Sequence, residues 1–269
     1  MATTLQMLPN RNRVINGNFR TNQRAYASAG ALASGAYGFD RWKSTTASSS
    51  LTFTAAPQGQ PVTLSSGGSI AQVVERANVE ADTYVLSWSG TATGRVYNVG
   101  GSAPAYAASP ITVTVDGLAD LTVEFTATGG TKTLGKVQLE AGTQPTPFEV
   151  IPVGAELALC QRYYWRYAGN ATGNAVAAIG QATSTVAFFV WLQFPVTMRA
   201  VPTLVSAGSW QIRIGGAAYA LTSGPTLTTA ESTGSADMTG GIAAGLAANI
   251  AVALQQAAAG AALSFTAEL

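Results

Sequence analysis

Few residues in this chain can do chemistry, and the shortage narrows the choices at once. There is no histidine, which excludes Ser-His-Asp and Cys-His catalysis, imidazole proton transfer and His-ligated metals. The single cysteine, Cys160, permits neither an intrachain disulfide nor a Cys-based zinc site. It reads as a buried thiol behaving as a small apolar residue. Carboxylates are what remain for acid–base work, chiefly Asp40, Glu75, Asp82, Asp116, Asp120, Glu124 and Glu140. Glycoside cleavage needs two carboxyl groups about 5 to 9 Å apart. Asp116 and Asp120 flank one turn and come nearest to that pattern, although acids so placed read first as solvated turn residues. Gly129-Gly130-Thr131-Lys132-Thr133 ends like a phosphate loop but lacks the leading glycine, and reads as a hairpin turn. No metal and no cofactor are expected.

The aromatic residues point to binding. Sugars stack their C–H faces on Tyr and Trp rings, with amides and hydroxyls fixing orientation. Tyr97, Tyr106, Trp210 and Tyr219 lie beside polar or glycine-rich loops, and Arg213 near Trp210 offers a polar clamp. These five are the glycan-binding candidates. Each also has an ordinary reading as core or turn packing.

The elements that must position them are β-strands. Tyr84, Leu86 and Trp88 alternate with Val85 and Ser87. Ile111, Val113 and Val115 alternate with threonines, and Leu121, Val123 and Phe125 with Thr122 and Glu124. Such period-2 runs, about ten residues apart with turn signals between them, predict a β-sandwich or barrel. Gly142, Pro145, Pro147, Pro152 and Gly154 interrupt any regular element and mark a boundary. The spacing then predicts a short helix over 156–162, followed by a second β region. In Val186–Phe194, Val186, Phe188, Val190, Leu192 and Phe194 line one face while Phe189 and Trp191 stand on the other. A second sheet, the helix or another subunit must cover that other face. Residues 240–262 fit either a helix stripe or strands; four glycines there favour strands. The last seven residues alternate as a strand tucked into a sheet.

Charge is scarce. Charged residues make up 10% of the 269-residue chain, against roughly 25% in soluble domains. After Tyr167 only Arg199, Arg213, Glu231, Asp237 and Glu268 are charged. Either Ser and Thr keep an Ala/Gly-rich surface wet, or the flanks face sister subunits; the second reading is favoured. Fourteen basic against thirteen acidic residues give net +1, which is no footprint for nucleic acid or an anionic membrane. No apolar run is long enough for a membrane helix, and the N-terminus carries no signal-peptide pattern. The expected setting is therefore a cytosol, with the chain left unprocessed.

Two segments resemble a known family. The first is Asn12-Arg13-Val14-Ile15-Asn16-Gly17-Asn18-Phe19, with Gln23-Arg24 and Phe39-Asp40-Arg41-Trp42 after it. The second runs from Val137-Gln138-Leu139-Glu140-Ala141-Gly142 through Pro145-Thr146-Pro147-Phe148-Glu149 to Cys160-Gln161-Arg162-Tyr163-Tyr164. Together they resemble the tail fibre and appendage proteins of tailed bacteriophages and prophages. Phe194-Pro195-Val196-Thr197-Met198-Arg199 and the terminal Thr266-Ala267-Glu268-Leu269 are similar to that family's closing pattern.

The resemblance implies an all-β chain of two β-sandwich or jelly-roll-like domains, joined by a Pro/Gly-rich link and a short helix. Its parts would be an N-terminal virion-attachment arm (1–13, with Arg11 and Arg13), a carbohydrate-binding-module-like jelly roll (14–150), a linker and helix (151–164), and a distal oligomerisation and receptor-binding domain (165–269). Asp40, Arg41 and Trp42 are expected inside the first domain, with Asp40 paired to an arginine, and Phe148 is expected to anchor the link. The implied function is non-enzymatic adhesion to a host-surface polysaccharide by a homo-oligomer, most simply a trimer, within a virion. A structural adaptor, head fibre or decoration protein is the alternative, and a small carboxylate depolymerase the remaining one.

Overall fold

The computed structural model describes residues 10–228 and 232–269. It is all-β apart from one α-helix and a short 3-10 turn. The chain divides at Cys160/Gln161 into two compact units.

The first unit holds ten strands. They are β1 (Ala31–Leu32), β2 (Lys43–Ser44), β3 (Ser49–Thr52), β4 (Val62–Leu64), β5 (Ser69–Val74), β6 (Asp82–Gly90), β7 (Thr93–Asn98), β8 (Ile111–Val115), β9 (Leu121–Thr126) and β10 (Lys132–Ala141). A six-stranded sheet runs β1-β3-β4-β10-β6-β8 and a four-stranded sheet runs β2-β5-β9-β7. Ile70, Val74, Val96, Val123 and Phe125 of the smaller sheet share one core with Leu51, Val62, Leu64, Leu86, Leu134 and Leu139 of the larger. That is a sandwich, built by the strand alternation read from the sequence.

The two resemblance segments meet. The pairing of β10 with β6 slips between Gly135 and Gln138, which leaves β10 backbone groups needing other partners. The N-terminal segment supplies them. Val137 N–H donates to the Gly17 carbonyl and Arg13 N–H to that of Leu139. Asn12 Nδ2 donates to the Val137 carbonyl at 3.1 Å, and its Oδ1 accepts from Leu139 N–H at 3.0 Å. Gly17 has to be glycine, because a Cβ there would overlap the Val137 carbonyl oxygen. Asn16 is fully buried. Its side chain spans Arg20, Thr21 and Asp40 backbone groups, and its carbonyl accepts from Trp42 Nε1 at 3.0 Å.

As expected, Asp40, Arg41 and Trp42 are buried, and Asp40 lies 3.7 Å from Arg24 Nε. One expectation needs correction. Residues 10–13 do not belong to a free arm, since their backbone and side chains bond into the first unit; the rest of the expected arm, 1–9, lies outside the described residues. Phe148 is half-buried, and polar bonds also hold the link: Thr146 N–H and hydroxyl to the Glu140 carboxylate, and Glu149 to the Asn10 and Asn12 backbone amides.

Helix α1 (Val153–Gln161) closes the first unit. It begins three residues before the predicted start. Glu156 and Cys160, one turn apart, are its buried face. Burial first, and then the Asp40 and Glu156 charges, push the Cys160 thiol well above its ordinary value, so it stays protonated and inert.

The second unit contains β11 (Tyr164–Tyr167), β12 (Val176–Ala182), β13 (Ala187–Gln193), β14 (Thr203–Ala207), β15 (Trp210–Ile214), β16 (Ala217–Leu227), β17 (Ser235–Ile242), β18 (Ala251–Gln256) and β19 (Ala262–Thr266). Its layered β structure takes the form of a closed barrel, β12-β13-β17-β16-β15-β18, with a three-stranded sheet, β11-β19-β14. Closure removes free edges. Phe188, Val190, Ile212, Met238 and Leu254 fill the core. Gly180 permits the close crossing of β12 and β13, where a Cβ would overlap the Phe189 carbonyl. The segment 240–262 resolves into strands joined by loops, and the C-terminal strand is central in its sheet. There Phe265 stacks on Trp165, with ring centroids 5.5 Å apart.

Candidate functional site

The outward face of the four-stranded sheet brings two of the aromatic candidates together. Registers run Lys43 opposite Ala71, Ala71 opposite Glu124 and Glu124 opposite Arg95, so these four side chains form one row across β2, β5, β9 and β7. Ala71 is small and leaves the centre of the row to Glu124. The 99–110 loop folds back through the reciprocal bridge between Gly94 and Ala107, both bonds 2.9 Å. This fold-back lays Tyr106 beside Arg95.

Glu124 is only 4% exposed, although it points away from the sandwich core. Its Oε1 accepts from Thr45 Oγ1 at 2.8 Å and Ser69 Oγ at 3.0 Å. Its Oε2 accepts from Arg95 Nε at 2.8 Å, Arg95 Nη2 at 2.7 Å and Tyr97 OH at 3.0 Å. The Arg95 guanidinium lies 4.1 Å from the Tyr106 ring centroid and 5.3 Å from that of Tyr97, within cation–π reach. Burial by itself would raise the Glu124 carboxyl, but donors from Thr45, Arg95, Ser69 and Tyr106 overcome it and hold the group below its usual range. Burial, and then the Glu124 charge, push both tyrosine hydroxyls up. A groove of about 320 Å³ opens beside Tyr97, with Asn98, Ser102 and Thr114 among its polar lining.

This arrangement presents a fixed, neutralised, hydroxyl-rich surface. A carboxylate held ionised by four kinds of donor is a poor general acid, which needs a raised value. The turn acids are occupied separately. Asp116 accepts from Leu118 N–H at 3.0 Å and Asp120 from Arg76 N–H at 2.8 Å.

The other candidates lie elsewhere. Trp210 is in the barrel core, its Nε1 bonded to the Ala207 carbonyl at 3.1 Å. Tyr219 packs against the same core, opposite Ile212. Arg213 is exposed on the outer face. Three residues apart on one strand, Trp210 and Arg213 point to opposite faces, so the expected clamp does not form. Arg11 is likewise not free: its Nε lies 3.2 Å from buried Glu140 and 2.8 Å from Thr146 Oγ1. Arg13 Nη1 donates to the Asn10 carbonyl at 3.2 Å. Arg11 gives buried Glu140 its counter-charge, and Arg13 joins the first unit through its backbone N–H, which donates to the Leu139 carbonyl.

Sequence reasoning placed Glu124 on a polar strand face but missed Arg95. The only sign was the alternation Arg95-Val96-Tyr97, which puts Arg95 and Tyr97 on one face.

No family model matches the chain, and no curated protein matches it. Among solved structures, the N-terminal CBM22-1–CBM22-2 tandem domain from Paenibacillus barcinonensis Xyn10C is similar at a TM-score of 0.28 and 10% identity, covering 91% of this chain and 92% of that one. At that TM-score nothing about a ligand carries over, and the site stands on its own geometry.

Proposed function

We propose that the chain is a non-enzymatic adhesive subunit of a bacteriophage tail fibre or appendage, acting in the virion as a homo-oligomer. Its ligand is a glycan of the host surface, held on the outer face of the four-stranded sheet. The observation that carries the glycan reading is the Tyr97–Arg95–Tyr106 assembly over buried Glu124. Rings locked by their hydroxyls lose little freedom when a sugar stacks on them. Because Arg95 is neutralised by Glu124, the surface suits hydroxyl-rich, uncharged sugar units more than anionic ones. The virion reading is supported by the resemblance of the 12–19 and 137–164 segments; the first packs on Val137–Leu139 of the second. Adhesion without cleavage is favoured because the carboxylates near the site serve as ion-pair and turn acceptors.

The test is binding of the full chain to an array of purified bacterial surface polysaccharides and to intact cells. Tyr97→Ala and Tyr106→Ala are each expected to weaken binding about tenfold, while Tyr97→Phe keeps the ring and most of the affinity. A wild-type chain that binds no polysaccharide and decorates no cells would overturn the glycan reading in favour of an adaptor.

A further inference from the structure

The barrel carries an apolar ridge on its outside. Ile179 and Trp191 are directly opposite one another on β12 and β13. They are 65% and 45% exposed. Single exposed apolar residues are ordinary, whereas a paired Ile and Trp on a regular strand face make one continuous apolar patch. Registers extend the row on both sides. Ile179 is opposite Ala253 and Ala253 opposite Arg213; Trp191 is opposite Asp237. The ridge therefore has a cation at one end of its row and an anion at the other. Among the described residues neither Arg213 nor Asp237 makes a side-chain ion pair or hydrogen bond. Between Ile179 and Arg213 the floor is small: Gly180, Gly215, Ala251 and Ala253 help line a groove of about 490 Å³.

We propose that this band is where copies of the chain meet. The Ile179–Trp191 ridge of one copy seats on the small-residue floor of the next, and Asp237 meets the partner's Arg213. The opposite charges at the two ends are what select a second copy over another protein, since each copy carries both halves of the pair. Trp191, the largest side chain of the row, carries most of the contact. This inference rests on the homo-oligomer reading and names its surface.

The experiment is native mass measurement and sedimentation of the full chain, with far-UV circular dichroism as the check on folding. Wild type is expected as more than one copy, and Trp191→Glu as a folded monomer at the same concentration. Arg213→Asp and Asp237→Arg, mutated singly, are each expected to weaken association at least about tenfold, and the double reversal to restore it. The charge reversals keep the test decisive should Trp191→Glu fold poorly. If wild type is oligomeric and these variants keep its mass, the copies meet elsewhere: this inference fails and the homo-oligomer reading stands. If wild type is a monomer at roughly 0.1 mM, both fail.

Discussion

Glu124 in the first unit and Gln256 in the second occupy comparable places. Each is a buried polar side chain at which a strand holds a loop. Glu124 gathers Thr45, Ser69, Arg95 and Tyr97. Gln256 donates to the Ala168 and Ala261 carbonyls and accepts from Asn170 N–H. The first unit repeats the charged solution: Glu140 with Arg11, Glu156 with Arg20, Asp40 with Arg24. The second uses neutral amides, Gln255 and Gln256 being its buried polar residues among those described. A buried ion pair adds little net stability but penalises any arrangement that separates its partners, so it suits a surface that must be preformed. A barrel closed on itself needs no such device. It leaves an outer face nearly free of charge, which suits contact with its own copies.

The largest effect to sharpen this contrast sets two tryptophans against each other. Trp42 is fully buried in the first core, and its Nε1 is bonded to the Asn16 carbonyl. Trp42→Ala is expected to cost about 3 to 5 kcal/mol of folding stability, whereas Trp191→Ala should change it by less than about 0.5 kcal/mol in the monomer. Urea unfolding of both variants checks this. Equal losses would mean that the outer barrel face is part of a core, and the contrast between the units would break.

Next in size is the exchange of charge for amide. Glu124→Ala strands Arg95 and frees two tyrosine hydroxyls, and is expected to cost about 2 to 3 kcal/mol. Gln256→Ala removes neutral bonds only, at about 1 to 2 kcal/mol. A larger loss for Gln256 would show that the amide network, not the ion pairs, is the more demanding of the two.

Much of this plan was legible in the alternation of single strands. Leu121, Val123 and Phe125 face inward as their spacing required, and Trp191 stands on the face opposite Phe188 and Val190. The break near Pro145 and the helix after it also follow from local chemistry, to within a few residues. What the spacing did not contain is register. That Arg95 faces Glu124, or that Ile179 faces Trp191, depends on which residues of distant strands align, and a shift of one residue would reverse both. The same limit explains Trp210. Its glycine-rich surroundings suggested a binding platform, but its parity on β15 turns it into the barrel.

The smallest effect concerns the pH dependence of the buried acids, where the first unit contains two of opposite sign. Burial raises Glu156, and Arg20, 2.7 Å away, only partly offsets it; Glu124, with more donors, is lowered. For Glu124 the folded value lies below the unfolded value of about 4.3. Its contribution is complete above that pH and is lost as pH falls through the folded value. For Glu156 the folded value lies above the unfolded one, so its contribution is complete below about pH 4.3 and is lost as pH rises through the folded value. Urea unfolding between about pH 3 and pH 6 separates them. Glu124→Gln should flatten the decline on the acid side, and Glu156→Gln should remove the opposing decline just above it. If both variants run parallel to wild type, neither carboxylate is tuned by its partners, and the ion pairs of the first unit differ from the amides of the second in name only.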